Sequence, residues 1–177
     1  MSKVAGPTLN LKHGRNYWVI SDTHFFHENS IKWPGRNHFK SVSEADELIL
    51  TRWNATVKPG DYVYHLGDVM LGNHPNRTKI IPWLNGTKRL IVGNHDDLGY
   101  MADSGWFKKV LYWRKFSEFR LILTHAPLHS FCIAEGWKNV HGHIHNETVP
   151  DSRYFNACVE RNNFTPVNLE TINGVYA

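Results

Sequence analysis

The strongest constraint on the fold is a pattern met four times: a short apolar run breaks off into aspartate, asparagine or histidine. Tyr17 to Ser21 (YWVIS) stops at Asp22, Asp61 to Leu66 at Gly67-Asp68, Lys88 to Val92 at Gly93-Asn94-His95-Asp96, and Phe119 to Leu123 at Thr124-His125. Apolar runs this short, bounded by polar loops, read as buried strands. Between them, Ser41-Val-Ser-Glu44 resembles a capping box. Ala45, Leu48, Ile49, Arg52 and Trp53 follow at helical spacing until Lys58-Pro59-Gly60 stops the helix. Pro75 marks a second helix start, Ile80, Ile81 and Leu84 can pack inward, and Asn85-Gly86 turns the chain. Val110 to Phe116 and Phe119 to Leu123 read as a hairpin around Ser117-Glu118. Alternation with helices early and hairpins late predicts an α/β chain with a mixed sheet carrying helices, its site at the strand ends.

With 177 residues, 41% hydrophobic and 13% aromatic, the chain suits a single domain with a core from about 16 to 175. Cys132 and Cys158 are too few for a disulfide framework and read as structural thiols of a reducing compartment. The N-terminus lacks the apolar run of a signal peptide, and no stretch of about 18 apolar residues occurs, so a soluble, cytoplasmic protein without a membrane partner is expected. The net charge of +4 and pI near 9.1 fit an anionic substrate. Arg36, Arg77, Lys88, Arg89, Lys108, Lys109, Arg114 and Lys115 form no long block, so a nucleic-acid tail is not indicated. The unusual number is 12 histidines.

Asp22-Thr-His24 places two ligand types two apart, on one side of an extended segment. Four polar or glycine residues directly after Leu90-Ile-Val92 would be a costly way to continue a strand. In Val140-His-Gly-His-Ile-His145 three alternating histidines could coat one strand face. Together the segments supply carboxylate, amide and imidazole ligands, a set that suits manganese, iron, zinc or nickel better than magnesium or calcium.

In this order the motifs resemble the calcineurin-like metallophosphoesterase superfamily, whose signature runs D-x-H, G-D, G-N-H-[DE], a lone His, then G-H-x-H. Here they are Asp22-Thr-His24, Gly67-Asp68, Gly93-Asn-His-Asp96, His125 in LTHAPL and Gly142-His-Ile-His145. The TPVNLETI segment also looks like the closing segment of small bacterial and phage members. The resemblance implies a four-layer fold, a β-sandwich flanked by α-helices, with a site for two divalent transition-metal ions at one edge. Carried over, one ion takes Asp22, His24, Asp68 and His145, the other Asp68, Asn94, His125 and His143, with Asp68 bridging. Manganese is the family-based first assignment. One departure is the missing second acid after the G-D aspartate in Gly67-Asp-Val-Met-Leu71.

Two such cations would acidify a bridging water for in-line attack on phosphorus. His95 resembles the family's non-ligand histidine, which contacts a phosphoryl oxygen and can protonate the leaving alkoxide. Asp96 would hold the other ring nitrogen of His95 and set its tautomer. His27 and Asn29 are close enough in sequence to line the substrate mouth. Arg36, in an exposed-looking Trp-Pro-Gly-Arg loop, could clamp a phosphate. His65 reads as a hydrogen-bonded sheet residue; His141 either orients a ligand or lies on a strand surface. His13, His38 and His74 read as surface, and the stretch from Ala126 to Asn139, with His129, as a pocket frame. Trp33 and Trp137 sit in loops where stacking on a base or sugar is possible. The expected activity is hydrolysis of a small phosphate monoester or diester such as a nucleotide. The alternatives are a nuclease, for which a larger basic groove would be needed, and a noncatalytic metal-binding module.

Overall fold

Strand β1 (Tyr17–Ile20) has apolar residues on both faces: Ile20 packs toward a helix, Val19 into a core between two sheets. Burial on both sides is why its run does not alternate with polar residues. The computed structural model describes residues 14–72 and 78–173. His13, His74, Pro75 and Arg77 lie outside the described residues, as do the last residues of the expected core.

Strands β2 (Tyr62–His65), β3 (Thr87–Ile91) and β4 (Lys109–Leu111) lie parallel to β1. With the antiparallel β9 (Val167–Asn168) they form a sheet ordered β4-β3-β2-β1-β9. The second sheet is β5 (Trp113–Phe116), β6 (Leu121–Thr124), β7 (Lys138–His141) and β8 (Tyr154–Asn156), with only the β5–β6 pair antiparallel. The sheets stack through Val19, Tyr64, Leu66 and Ile91 on one side and Phe116, Leu121, Leu123 and Val140 on the other. Helix α1 (Val42–Thr56) covers the far face of the first sheet. It buries Val42, Ala45, Ile49 and Trp53, the spacing of three and four that gives a helix one apolar stripe. The Ser41 side chain accepts from the Glu44 N–H, so the cap read from the sequence is formed. Helices α2 (Leu98–Asp103) and α3 (Leu169–Ile172) are short; α3 closes the inter-sheet core with Leu169 and Ile172. The result is two sheets flanked by helices. Outside the second sheet the covering segment holds a 3-10 turn, Ser130–Cys132, fastened by Leu128 N–H to Asn139 Oδ1 (2.8 Å) and Tyr154 Oη–H to the Leu128 carbonyl (2.7 Å).

Three expectations are corrected. The hairpin exists, but Phe116 pairs with Leu121, so its loop is four residues and Phe119 drops into the core. The expected strand from Val110 to Phe116 is two strands, β4 pairing with β3 and β5 with β6, because one strand cannot hydrogen-bond to the edges of two sheets stacked about 10 Å apart. The chain changes sheet at Tyr112. The histidine alternation is likewise not a strand face: β7 ends at His141, and His143 (φ 71°) and His145 (φ 46°) lie in the loop beyond it.

A candidate metal centre at the strand ends

Parallel strands deliver their C-terminal ends to one edge, and there the loops after β1, β2, β3, β6 and β7 converge. Asp22, His24 and His145 form one group, Asp68, His125 and His143 a second, each with ligand atoms mutually within 4.8 Å. His24 Nε2 lies 3.8 Å from Asp22 Oδ1 and 3.7 Å from Asp68 Oδ2, and His145 Nε2 3.9 Å from Asp22 Oδ1. These separations are too long for hydrogen bonds. They match ligands each about 2.1 Å from a shared cation, which stand roughly 3–4 Å apart. Asp22 Oδ1 and both ring nitrogens of His24 are buried with no hydrogen-bond partner. Buried polar atoms are rarely left so, and a cation between them would satisfy Asp22 Oδ1 and His24 Nε2.

In the second group Asn94 Oδ1 is 2.8 Å from His125 Nε2 and 2.9 Å from His143 Nδ1, and the two nitrogens are 3.2 Å apart. His125 Nδ1 donates to the Leu66 carbonyl at 2.7 Å, which leaves Nε2 as a lone pair facing the cluster. Asp68 Oδ2 lies between the groups, 3.7 Å from His24 Nε2 and 3.5 Å from His125 Nε2. The donor set fits two transition-metal ions: Asp22, His24, Asp68 and His145 could hold one, and Asp68, Asn94, His125 and His143 the other.

The ligands are held from behind. Asp22 Oδ2 accepts from Ser21 Oγ (2.5 Å), the His143 N–H (2.9 Å) and Cys158 Sγ (3.3 Å), so Oδ1 alone faces the cluster. Burial opposes ionisation of Asp22, but His24 and the Ser21 hydroxyl outweigh it and hold the pKa well below the ordinary carboxylate range. Burial pushes the Cys158 thiol far up, so it stays a protonated donor. Asp22, His24, Asp68, His143 and His145 all have left-handed backbone (φ 56°, 47°, 54°, 71° and 46°). Asp22 and His24 thus converge through two left-handed residues rather than by strand alternation. The motif glycines reflect close approach: a Cβ on Gly93 would stand 2.2 Å from Asp68 Oδ1, and one on Gly142 2.2 Å from Asp22 Oδ2.

Two sequence assignments are overturned. Arg36 is buried (1% exposed) rather than offered to substrate: Nε pairs with Glu160 Oε1 (2.5 Å), and Nη1 and Nη2 donate to the carbonyls of Thr23 (3.0 Å) and Asp22 (2.5 Å). A planar fork with five donors suits this lock on the Asp22–His24 backbone. Asp96 does not serve the His95 ring. Its Oδ2 accepts from the N–H groups of Gly93 (2.8 Å) and Asp68 (3.0 Å) and its Oδ1 from Val69 (2.9 Å), because the turn after β3 aims it back at the Gly67-Asp68 loop. Burial raises its pKa despite these donors.

Sequence reasoning missed Glu160, which belongs to no motif. It faces His145 Nδ1 at 3.4 Å while pairing with Arg36, and although burial opposes its ionisation, His145 and Arg36 lower its pKa. A carboxylate behind a histidine fixes which ring nitrogen looks forward. His65 is the hydrogen-bonded sheet residue expected, and more. Thr23 Oγ1 donates to the Val69 carbonyl, so it accepts from His65 Nε2 (2.9 Å), while His65 Nδ1 accepts from the Gly67 N–H (3.2 Å). This neutral imidazole ties the two ligand loops together, and burial lowers its pKa to about 3.

His95 is exposed at the rim, 5.8 Å from the His24 ring between centroids, with its N–H held by Asp68 Oδ1 at 2.9 Å. His27 lies 5.5 Å from His24 by the same measure, and burial with neighbouring His24 and His95 lowers its pKa. Trp33 packs on His145, His27 and His24 at 4.7, 4.9 and 5.0 Å. Asn29 accepts from Lys32 Nζ, and His38 is exposed beside Phe39. Trp137 lies under Lys115 Nζ, away from the ligands, and His141 is buried in β7 with Nδ1 donating to the Gly142 carbonyl. The stretch containing His129 makes its contacts with Asn139, Arg153 and Tyr154 on the second sheet rather than around the metal ligands. Both cysteines are unpaired. No helix among the described residues is long and apolar enough to cross a membrane.

Comparison with known proteins agrees with this geometry. The chain is 33% identical over 168 residues to an uncharacterized protein of Methanocaldococcus jannaschii, covering 89% of each. It is 34% identical over 106 residues to the gene 66 protein of Mycobacterium phage L5, covering 58% of this chain and 50% of that one. The crystal structure of a protein of unknown function from Aquifex aeolicus superposes with a TM-score of 0.74 at 25% identity, over 91% of this chain and 99% of that one. Residues 15–174 match the calcineurin-like phosphoesterases, and with two stacked sheets presenting paired metal-ligand groups at their ends, the chain belongs to that family.

Proposed function

We propose that the protein hydrolyses phosphate esters with two divalent transition-metal ions, manganese first among them, on a small phosphorylated substrate. The single observation that supports this most is the position of Asp68 Oδ2 between the two ligand groups, 3.7 Å from His24 Nε2 and 3.5 Å from His125 Nε2. Two cations there would neutralise phosphoryl oxygens and supply an acidified water for attack. Asp68 Oδ2 would be shared by both ions, and its second oxygen is kept for the backbone N–H of His95. Arg36 and Glu160 keep Asp22, His24 and His145 in place. His95, exposed at the rim, contacts a phosphoryl oxygen and hands a proton to the leaving alkoxide.

The test is metal analysis with turnover. Wild-type protein, chelated and reconstituted with manganese, should bind two ions and regain hydrolysis of a panel of mono- and diesters. Asp68→Asn should bind fewer than two and lose activity. Two ions retained at wild-type affinity would remove the bridging role, and equal turnover with and without metal would overturn the reaction.

A further inference from the structure

The basic residues that look scattered in the sequence are gathered by the sheets. Tyr64, Arg89 and Lys109 are register neighbours on β2, β3 and β4, so their side chains share the face that looks toward the second sheet. At the open edge of the sandwich β5 adds Arg114, on the face it shares with Phe116, with Trp113 and Lys115 at the rim, and together these residues line a cleft of about 400 Å³. Four cationic residues line it and no carboxylate does; the Lys115 ammonium is turned over the Trp137 ring, which leaves Arg89, Lys109 and Arg114. Among the described residues, the Lys and Arg ion pairs are Arg36–Glu160 and Arg153–Asp151, and none involves these four.

Like charges at close quarters repel, and an anion relieves that repulsion. Arg89 carries a second sign. Its guanidinium is held over the rings of Tyr62 (4.4 Å) and Tyr64 (5.3 Å) and donates to Tyr64 Oη, while its Nε is buried without a hydrogen-bond partner. Trp113 is 59% exposed and its neighbour Tyr112 72%, so flat apolar rings are offered to solvent beside the charges. Cations interleaved with exposed aromatic faces bind a phosphate next to a base. The volume suits one nucleotide unit. The cleft shares no lining residue with either metal-ligand group, so it is a second place rather than part of the metal centre.

We infer that this cleft binds the phosphates and base of a nucleotide, either free with two or more phosphates or as a unit of a single-stranded nucleic acid. It does not depend on the proposed reaction. The probes are α,β-methylene-ADP, followed by calorimetry, and a fluorescein-labelled phosphorothioate oligothymidylate, followed by anisotropy, each with metal-loaded full-length protein. Lys109→Glu/Arg114→Glu changes two exposed side chains and should leave the thermal midpoint unchanged while weakening binding at least ~10-fold. Trp113→Ala should weaken the nucleotide but not inorganic tripolyphosphate. Loss confined to the oligonucleotide would identify a nucleic-acid strand as the source, and loss with methylene-ADP a free nucleotide. If neither probe binds wild type, or both bind the double variant as they bind wild type, the cleft is not a nucleotide site.

Discussion

Arg36→Met separates a structural lock from a substrate clamp. Methionine keeps much of the unbranched stem and removes the charge. The change leaves Glu160, whose side chain is fully buried, without its cation, and strips donors from the carbonyls of Asp22 and Thr23. Breaking a buried pair on one side costs about 3–5 kcal/mol, and each abandoned buried carbonyl about 1–3 kcal/mol. Relaxation makes these less than additive, so a loss of about 4–6 kcal/mol is expected, a large share of the roughly 5–15 kcal/mol of a typical domain. The thermal midpoint should fall by roughly 10–20 °C. Urea unfolding at pH 7 in chelator, followed by tryptophan fluorescence, reads this without metal linkage. Adding Glu160→Gln should restore part of the loss, because no charge is then left unpaired. A loss below about 1 kcal/mol for Arg36→Met, with KM raised and kcat kept, would refute the lock and return Arg36 to the substrate.

Three further outcomes follow from the same structure. The folded pKa of His65, about 3, lies below its unfolded value, so its contribution is full above pH 6.5 and is lost as pH falls toward 3. His65→Gln should remove up to about 1.4 kcal/mol per pH unit of that acid slope, measured by urea unfolding of metal-free protein; an unchanged slope would contradict a buried neutral imidazole. Burial raises Asp46 to about 7 although it accepts from the Phe26 N–H, so its native proton is lost and stability falls as pH climbs from about 4 to 7. Asp46→Asn should therefore gain on wild type across that window and hold a constant advantage above it; a constant difference throughout would show that Asp46 ionises normally. His95→Ala should keep both metal ions and lose about 10²- to 10⁴-fold in turnover, most on esters with alkoxide leaving groups. An equal deficit across leaving-group pKa would make His95 an electrostatic contact rather than an acid.

The sequence made the strand ends legible because each buried strand must stop where its chain meets water, and here each stops on a ligand type. The motif order then named the family. Other features depended on contacts that spacing cannot report. Arg36 follows Pro34-Gly35 in what reads as an exposed loop; its burial is set by Glu160, more than a hundred residues away. Asp96 follows His95 directly, but the turn sends its carboxylate back to the Gly67-Asp68 loop while the His95 ring stands 5.8 Å from that of His24. The second hairpin strand starts two residues later than its apolar run, at Leu121, because Phe119 is apolar enough to continue a strand and is buried in the loop instead. The cationic cleft was invisible because Arg89, Lys109 and Arg114 meet only through strand register and the crossing at Tyr112.

The left-handed ligands show what a one-dimensional pattern hides. A strand that simply continued would send successive side chains to opposite faces, and two ions at one edge could not be surrounded. Turning Asp22, His24, Asp68, His143 and His145 into positive φ bends each loop so that its side chain doubles back to a common centre. Each such residue costs about 1–2 kcal/mol in an ordinary backbone. Aspartate, asparagine and histidine are the non-glycine types that tolerate this conformation best. They are also the oxygen and nitrogen donors that transition metals prefer. The remaining strain is offset by ties between loops: His143 N–H to Asp22, His95 N–H to Asp68, and the N–H groups of Gly93, Asp68 and Val69 to Asp96. Carboxylates therefore do two jobs in this centre, one oxygen of Asp22 and of Asp68 facing the ligand cluster while the other fixes the backbone beside another member of it.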